Sequence, residues 1–379
     1  MRVALNLLHL VPGETGGSEL YARGLVPALL AARPGLELIV FAAREGAPSL
    51  ASEPWAARAK IETVPVNARS RARRVAAEQT LLAACVRRAR CDLLHNLFST
   101  APAFPGVPQV TTIHDVIYKR FPETHAGLLA RGIATLVPLA ARRSRRVIAV
   151  SGAARDDIVR FLGVPTERVD VTHQGPGMPS GVAPLAELEL RERLGIEAGA
   201  PIVLSVSAKR PHKNLERLID AIARVEASPA PVLVVPGYAT AFEVELERHA
   251  DRARARERVR FAGWVDDATL EGLYAAATCF AFPSLAEGFG LPALEAMLRG
   301  TPLACSDASS LPEVAGEAAR YFDPTDVDAI AAAIGELLSD TALRSRLAEA
   351  GRAQARKFTW EATAAATLAS YDRALESAR

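Results

Sequence analysis

The sequence predicts an α/β protein made of two doubly wound domains of similar size. Three observations support this prediction: short apolar runs alternate with longer helix-like stretches, the chain has 379 residues, and a segment rich in Gly and Pro lies near its middle. A chain of this length is long enough for two ordinary domains. Because 50% of its residues are hydrophobic and 23% are charged, the chain can bury a sizeable core.

The strands are predicted from ten apolar runs. In chain order these runs are RVALNLL, LELIVFA, DLLHNL, QVTTIHD and RRVIAVS in the first half, then IVLSVS, VLVVPG, VRFAGW, CFAFPS and TPLACS in the second. Strands this apolar, separated by helices, are typical of parallel sheets that are covered on both faces. Each half of the chain is therefore expected to form its own parallel sheet.

The boundary between the domains is predicted in HQGPGMPSGVAPLAELEL, where Gly and Pro interrupt regular structure. We therefore expect a first domain over residues 1–178, a linker over 179–198, a second domain over 199–360 and a final helix over 361–379. Doubly wound sheets bind ligands outside the carboxyl ends of their strands. With two such domains facing each other, we expect the site in the cleft between them.

The cysteine pattern and the hydropathy exclude several classes of protein. Cys85, Cys91, Cys279 and Cys305 show neither CxxC nor Cys/His spacing. A structural zinc site or a disulfide framework is therefore not expected, and a reducing compartment is. No run approaches the roughly 20 apolar residues that a membrane span needs. We expect a cytoplasmic protein, either soluble or peripheral on the inner face of the membrane.

The net charge of +2 conceals an uneven distribution. Residues 1–178 hold 23 Lys and Arg against 14 Asp and Glu, whereas the remainder holds 22 against 29. This excess suits either solvated helix faces or an anionic partner, such as a membrane surface or a lipid phosphate. Nucleic acid is not expected, because the basic runs carry no interleaved aromatics. The residues expected to dock on an anionic membrane are Arg69, Arg71, Arg73, Arg74, Arg142, Arg143, Arg145 and Arg146.

Paired glycines precede a predicted helix in GETGGSELYARGLVPALL. Gly16 and Gly17 let the backbone approach a ligand closely, and Ser18 is the predicted N-cap. The amides at such a helix start can bind an anion. A glycine-rich turn between strand and helix is also a common structural device, so both interpretations stay open. The sequence lacks GxGxxG, which argues against a dinucleotide dehydrogenase.

A histidine follows a predicted strand in TTIHDVIY. His114 and the adjacent Asp115 lie where catalytic groups tend to occur, outside the carboxyl end of a strand. A packed or capping histidine is the alternative. Neither a serine nucleophile elbow nor HExxH accompanies it.

Three cations lie in the loop after the first strand of the second half, in SVSAKRPHKNLERLIDAI. Lys209, Arg210 and Lys213 precede an amphipathic helix and could neutralise a diphosphate. The alternative is a solvated helix start. Positive charge at a helix N-terminus is unfavourable without an anion, which favours the functional interpretation.

A strand-to-helix turn rich in glycine lies in LAEGFGLPALEAM. The pair Leu291-Pro292 is typical of a helix start, with Pro292 at the first position. The amides expected to point from this helix toward phosphate oxygens belong to Phe289, Gly290 and Leu291.

Two glutamates bracket this turn. Glu295 lies in the first turn of the predicted helix, where its carboxylate can accept hydrogen bonds from vicinal sugar hydroxyls. Glu287 precedes the turn and is expected to face another part of the ligand. Solvated acids beside a loop are the structural alternative.

Together these residues resemble the retaining glycosyltransferases of the GT-B fold, in the large family numbered four. EGFGLPALEAM is similar to that family's E-x7-E motif, and three longer segments follow its pattern: VIAVSGAARDDIVRFLGVPTERVDVTHQGPG, FAGWVDDATLEGLYAAATCFAFPSLAEGFG and SLPEVAGEAARYFDP. The resemblance implies two Rossmann-like domains facing a cleft. It also implies that the second domain holds a nucleotide-diphosphate sugar, the first receives the acceptor, and the last helix crosses back to the first domain.

The resemblance also implies roles for single residues. Glu295 would bind the nucleotide ribose, Glu287 would lie beside the donor sugar, Lys213 would contact the diphosphate, and the backbone near Val265 would contact the base. In the first domain, Gly17 would approach the donor phosphate or the acceptor, and His114 would contact the transferred sugar. This chain departs from the family where an arginine is frequent, in the triplet Val206-Ser207-Ala208. Lys209 or Arg210 is the expected replacement for that charge.

We therefore expect a hexosyltransferase that needs no cofactor and no metal. GDP-mannose is the favoured donor, with UDP- and dTDP-sugars open, and the acceptor is a glycan, a glycolipid or a small molecule. A sugar-nucleotide epimerase or phosphorylase on a similar scaffold is the enzyme alternative. A catalytically inactive sugar-nucleotide-binding protein is the non-enzyme alternative.

Overall fold

The fold was established from a computed structural model, which describes residues 1–122, 127–177 and 181–376, without the side chains of 127–131. The described chain forms two compact units: unit 1 comprises residues 1–177 and 358–379, and unit 2 comprises residues 178–357. The first residues of the expected linker, 179 and 180, lie outside the described residues. So do the boundary residue 178 and the last three residues of the expected C-terminal helix.

Unit 1 contains a parallel sheet of seven strands among the described residues, in the order β3-β2-β1-β4-β5-β6-β7. Its strands are β1 Arg2–Leu7, β2 Glu37–Ala42, β3 Lys60–Thr63, β4 Leu93–Asn96, β5 Gln109–Ile113, β6 Arg146–Ala149 and β7 Val169–Val171. The strand order reverses between β1 and β4, which makes this pair the switch point of the sheet.

The helices of unit 1 follow the strands on both sides of this switch point. They are α1 Gly17–Ala32, α2 Gly46–Ala51, α3 Arg71–Ala77, α4 Ala83–Arg88, α5 Ile117–Arg120, α6 Gly127–Arg143 and α7 Gly152–Leu162, with a π-helical turn at Glu78–Leu82 and 3-10 turns at Ala56–Arg58 and Thr166–Arg168.

Unit 2 contains a parallel sheet of six strands among the described residues, in the order β10-β9-β8-β11-β12-β13. Its strands are β8 Ile202–Leu204, β9 Val232–Pro236, β10 Val259–Gly263, β11 Cys279–Phe282, β12 Leu303–Ser306 and β13 Ala319–Phe322. Here the switch point lies between β8 and β11.

The helices of unit 2 cover this second sheet. They are α8 Glu187–Leu194, α9 Leu215–Arg224, α10 Ala241–Arg252, α11 Asp267–Ala276, α12 Leu291–Arg299, α13 Leu311–Ala315, α14 Val327–Ser339 and α15 Thr341–Ala355, with 3-10 turns at Pro211–Lys213 and Arg256–Arg258. Leu218, Ile222, Ile330 and Ile334 bury the apolar faces of α9 and α14 against the sheet in one continuous core. Helix α8 lies within the segment that was expected to be a linker. Its Leu190 side chain is buried and anchors the helix.

The C-terminal helix α16, Trp360–Glu376, belongs to unit 1. Its Trp360 ring occupies the space beside Gly24 of α1, where an added Cβ would lie 2.1 Å from the ring. At the other end of the helix, Arg33 pairs with Asp372 at 2.6 Å. The helix is thus held by close packing at one end and an ion pair at the other.

The predicted architecture of two doubly wound α/β domains is confirmed, and each of the ten predicted runs contains a strand. Three strands were not predicted: β3, β7 and β13, with sequences KIET, VDV and ARYF. All three lie at sheet edges and are only partly buried. An edge strand needs no continuous apolar run, which explains why hydropathy did not reveal them.

Candidate active site

The loops that follow β8 and β11 meet at the switch point of unit 2. Asn214, in the left-handed conformation at φ 59°, donates side-chain hydrogen bonds to Pro283 O at 3.0 Å and Pro324 O at 2.7 Å. The backbone N–H of Leu285 donates to His212 O at 2.8 Å. The bonds at Pro283 and Leu285 join the loop that carries Lys213 to the loop that carries Glu287, and the bond to Pro324 joins it to the loop after β13.

Lys213 and Glu287 form an ion pair in the joined loops. Lys213 Nζ donates to Glu287 Oε1 at 2.6 Å, and the side chains are only 15% and 9% exposed. The ammonium also lies 5.5 Å from the centre of the Phe282 ring, at the end of β11. The structure therefore brings together the two residues that the sequence assigned to different parts of a ligand.

Two serines after β12 hold the backbone on either side of Glu287. Ser309 Oγ donates to Glu287 O at 2.8 Å, and Ser310 Oγ donates to Phe289 O at 2.7 Å. Ser309 has φ 59°, a left-handed conformation that is uncommon for serine. The turn before α12 is therefore positioned by three loops rather than by its own sequence.

Helix α12 begins at Leu291, with Gly290 at the N-cap in the left-handed conformation at φ 104°. Pro292 therefore occupies the second helical position, one later than predicted. Within the described part of the chain, no acceptor takes a hydrogen bond from the N–H groups of Gly290 and Leu291. Of the three predicted amides, those of Gly290, which is buried, and Leu291, which is partly exposed, thus lack an acceptor there, and Phe289 makes other interactions.

Glu295 lies on α12 with a different partner. Its Oε2 accepts a hydrogen bond from Tyr274 Oη at 3.2 Å, and the residue is buried. Burial raises the pKa of Glu295 to about 7, although Arg299 and Tyr274 oppose the shift. The carboxyl group therefore titrates near neutral pH, which is uncommon for a glutamate.

Lys209, predicted to meet a diphosphate, is placed by the structure in the interior of unit 2. Its side chain is fully buried, and Nζ donates to Gly237 O at 2.6 Å with Glu243 at 3.4 Å. Burial lowers the pKa of Lys209, and Glu243 opposes that shift. Arg210, in the same loop, is exposed.

Val265 lies between β10 and α11, next to an exposed pair of aromatic side chains. The rings of Trp264 and Tyr238 stack at 4.5 Å with an interplanar angle of 25°. Trp264 is 66% exposed. The loops after β9 and β10 therefore display an aromatic face at the carboxyl edge of the sheet.

In unit 1, α1 begins at Gly17, and Gly16 rather than Ser18 is the N-cap. Gly16 has φ 63° and ψ −139°, a conformation that suits glycine far better than serine. Glu19 in the first turn accepts a hydrogen bond from Gly13 N–H at 2.9 Å and pairs with Arg23 at 2.6 Å. The Glu19 carboxylate therefore holds the glycine loop in place, and Arg23 already neutralises its charge.

His114 follows β5 and packs beside the helix that the paired glycines begin. Its ring meets Tyr21 of α1 edge-on at 4.9 Å, and Nε2 lies 3.0 Å from Leu97 O. Burial lowers the pKa of His114, which favours the neutral imidazole, although the hydrogen bond to Leu97 and the charge of Asp115 oppose the shift. Since a carbonyl only accepts, Nε2 carries the proton, and Nδ1 is the ring nitrogen able to accept one.

Sequence reasoning missed the residues that position the predicted ones: Asn214, Tyr274, Ser309 and Ser310. The role of Asn214 could have been predicted from the sequence, because an asparagine directly before a helix is typical of a cap or a left-handed turn. Tyr274 and the two serines act across 21 to 23 residues of sequence on Glu295, Phe289 and Glu287. No local pattern indicates such contacts.

Across residues 1–122, 127–177 and 181–376, no group of three or more His, Cys, Asp or Glu side chains is placed to hold a metal ion. None of the described helices is both long and apolar enough to span a membrane.

Both halves of the chain match family models. Residues 15–175 match "Glycosyltransferase Family 4", and residues 187–354 match "Glycosyl transferases group 1". The structure is similar to that of HepE from Anabaena in complex with UDP and glucose. That similarity has a TM-score of 0.74 at 23% identity and covers 98% of this chain and 99% of the other. It shows the GT-B fold.

Curated relatives agree with this match. The chain is 33% identical over 270 residues to the O-antigen chain mannosyltransferase B of Escherichia coli, covering 69% of each chain. It is 32% identical over 285 residues to the MMP α-(1→4)-mannosyltransferase of Mycolicibacterium hassiacum, covering 71% of this chain and 66% of that one. An epimerase or an inactive binding protein is not favoured by these relatives. The chain is an enzyme, and it belongs to the family-four glycosyltransferases of the GT-B fold.

Proposed function

We propose that this glycosyltransferase moves a mannosyl group from GDP-mannose to a hydroxyl group of a glycan or glycolipid, with retention of anomeric configuration. Both curated relatives described above are named mannosyltransferases, which supports the sugar. The HepE structure contains UDP and glucose, which supports a nucleotide-sugar donor. UDP- and dTDP-sugars are the alternative donors, and a small molecule is the alternative acceptor.

The observation that carries the proposal is the arrangement at the switch point of unit 2. Lys213 lies in a loop joined to the turn before α12, where the amides of Gly290 and Leu291 have no acceptor among the described residues. Arg210 lies in the same loop as Lys213 and is exposed. A diphosphate bound here would meet positive charge and oriented N–H groups in a partly buried site, which is the environment that stabilises a leaving phosphate.

In the proposed reaction, the bond between the sugar C1 and the diphosphate oxygen breaks as the acceptor oxygen bonds to C1 on the same face. The electron pair of the broken bond stays on the diphosphate, and the acceptor proton passes to the departing phosphate oxygen. Lys213, Arg210 and the α12 amides stabilise the charge that develops on that phosphate. Since these groups supply the charge, the proposal requires no metal ion.

The remaining site residues are proposed to orient the donor and the acceptor. Glu295 accepts a hydrogen bond from the ribose, and the base lies near Val265, where the ring of Trp264 offers a face for stacking. Glu287 lies beside the transferred sugar. In unit 1, the backbone at Gly16 and Gly17 approaches the donor phosphate or the acceptor, and His114 contacts the transferred sugar.

The test is a transfer assay with GDP-mannose, UDP-glucose and dTDP-rhamnose, each with and without mannose-terminated oligosaccharides, in the presence of EDTA. We expect mannosyl transfer from GDP-mannose only when the acceptor is present, with an α-linked product by NMR. A β-linked product would contradict retention, and a preference for another donor would contradict the proposed sugar nucleotide. Conversion of the donor without an acceptor would favour an epimerase.

We also propose that unit 1 makes a peripheral contact with an anionic membrane. Its excess of basic residues supports this contact.

A further inference from the structure

The C-terminal helix α16 packs into unit 1 through two aromatic side chains. Trp360 begins the helix, and Tyr371 follows roughly three helical turns later, so both rings lie on one face. Tyr371 is fully buried, and Trp360 fills the space beside Gly24 of α1. Each of the two rings contacts a residue that adjoins His114, the histidine outside the carboxyl end of β5.

Trp360 supports the side chain that packs on His114. Its ring meets Tyr21 of α1 at 5.8 Å with an interplanar angle of 65°, and its Nε1 donates a hydrogen bond to Pro176 O at 3.0 Å. Tyr21 is fully buried and meets the His114 ring edge-on, at 4.9 Å and 90°. The Tyr21 ring therefore contacts the C-terminal helix and His114 at once.

Tyr371 contacts the strands that end beside His114. Its hydroxyl group lies 2.7 Å from Nδ1 of His95 on β4, and Nε2 of the same imidazole lies 2.9 Å from Thr112 Oγ1 on β5. Two residues further along each strand direction are Leu97 and His114. These are the two residues joined by the hydrogen bond from His114 Nε2 to Leu97 O. The buried bridge through His95 therefore joins β4 to β5 directly before that bond.

His114 needs such support because it is partly exposed, whereas the side chains around it are buried. The hydrogen bond to Leu97 O fixes one ring nitrogen. A single hydrogen bond leaves other rotamers of the imidazole accessible, and packing against a buried ring removes them. The contact with Tyr21 is therefore what selects one orientation of His114.

We propose that Tyr21 and Trp360 are positioning residues for His114, so that the C-terminal helix takes part in the transfer reaction. No residue of α16 was predicted to touch the donor or the acceptor. The inference rests on the proposed function, in which His114 contacts the transferred sugar. The rate of transfer depends on how closely the groups around the reacting carbon are placed, so loss of this packing lowers kcat.

The first test is a double-mutant cycle on the full chain, with kcat as the readout. Tyr21→Leu should lower kcat about tenfold, less than the roughly 100-fold that a misplacement by 1 Å can cost. Tyr21→Phe keeps the ring and should retain kcat within about twofold. His114→Ala should lower kcat at least as much as Tyr21→Leu. In the His114→Ala background, Tyr21→Leu should have no further effect, because mutations that act through one group are not additive.

Trp360→Leu enters the same cycle and should also lose its effect in the His114→Ala background. The matched control is Asp372→Asn, which breaks the ion pair with Arg33 on the same helix and should leave kcat within about twofold. GDP affinity, measured by calorimetry, should stay unchanged in every variant because GDP carries no sugar for His114 to contact. Circular dichroism establishes that each variant is folded at the assay temperature.

NMR of the protein with labelled histidines gives a second readout that needs no substrate. The hydrogen bond to Leu97 O requires the tautomer of His114 that carries its proton on Nε2, and nitrogen chemical shifts identify that tautomer. We expect it in the original protein and in Tyr21→Phe. Tyr21→Leu and Trp360→Leu should instead show a mixture of the two tautomers.

Additive losses of kcat, an unchanged tautomer in Tyr21→Leu, or an equal loss of kcat in Asp372→Asn would overturn the positioning role while the proposed transfer stands. An unchanged kcat in His114→Ala would overturn it together with the sugar contact of His114. The cycle uses the donor that the transfer assay identifies, so a preference for another sugar nucleotide would contradict the proposed donor without altering this result.

Discussion

Lys213 Nζ and Glu287 Oε1 lie 2.6 Å apart in the joined loops after β8 and β11. Each residue is therefore the partner of the other, in a setting that is largely closed to water. Removing one member of a buried pair leaves the other charge without compensation, which is costly. A diphosphate bound beside Lys213 would share that ammonium group with Glu287.

This sharing predicts the effect of removing the lysine. Lys213→Ala should weaken GDP binding by about 1.5–3 kcal/mol, because it removes a charged hydrogen bond and leaves the Glu287 carboxylate facing the diphosphate. Isothermal titration calorimetry measures the change. The double variant Lys213→Ala/Glu287→Ala should recover part of the loss, since it also removes the repulsion. Unchanged GDP affinity in Lys213→Ala would remove this residue from the donor site.

The second prediction separates Glu287 from Glu295. Glu287→Gln should lower kcat more than it raises KM, because the proposed partner of Glu287 is the reacting sugar. Glu295→Gln should weaken GDP binding instead, because a ribose contact is present in the ground state and the transition state alike. Steady-state kinetics and calorimetry on both variants distinguish these effects. Equal losses of binding in two folded variants would contradict the division of roles.

The raised pKa of Glu295 predicts a dependence on pH. Its pKa rises from an ordinary value of 4.5 to about 7, so between these values the folded state holds a proton that the unfolded state has lost. The free energy of unfolding should therefore fall as pH rises from 4.5 to 7, and GDP affinity should rise through pH 7 as the carboxylate forms.

Urea denaturation and GDP titration at several pH values between 5 and 8 check both trends. The matched control is Glu295→Gln, in which both dependences should become shallower. If the variant keeps the slopes of the original protein, another group is responsible for them.

The buried position of Lys209 predicts a structural role. Lys209→Met keeps the aliphatic stem but removes the hydrogen bond to Gly237 O, so it should lower the free energy of unfolding by about 1–3 kcal/mol. Its GDP affinity, measured where the protein is fully folded, should stay within about twofold. Arg210→Ala is the comparison and should weaken GDP binding without a large change in stability. A loss of affinity in Lys209→Met as large as that of Lys213→Ala would restore Lys209 to the donor site.

The sequence predicted the fold because the sheet interiors are encoded locally. A run such as VLVVP is apolar throughout, and β9 is buried throughout, since both faces of the sheet are covered. β3, β7 and β13 escaped prediction for the same reason, because an edge strand is only partly covered. The start of α1 lies two residues earlier than predicted, because the N-cap position takes a backbone conformation that suits Gly16 and that serine disfavours.

By itself, the sequence determined the two parallel sheets, the loops at their carboxyl ends and the residue types available there, because these depend on short-range patterns of hydropathy, glycine and proline. Only the tertiary structure decided which charged side chains pair with each other. Lys209 and Lys213 lie four residues apart in one loop, yet the first is buried against Gly237 and the second reaches Glu287, which is 74 residues away in sequence. Such outcomes depend on which loops a fold brings together, and no local pattern records that.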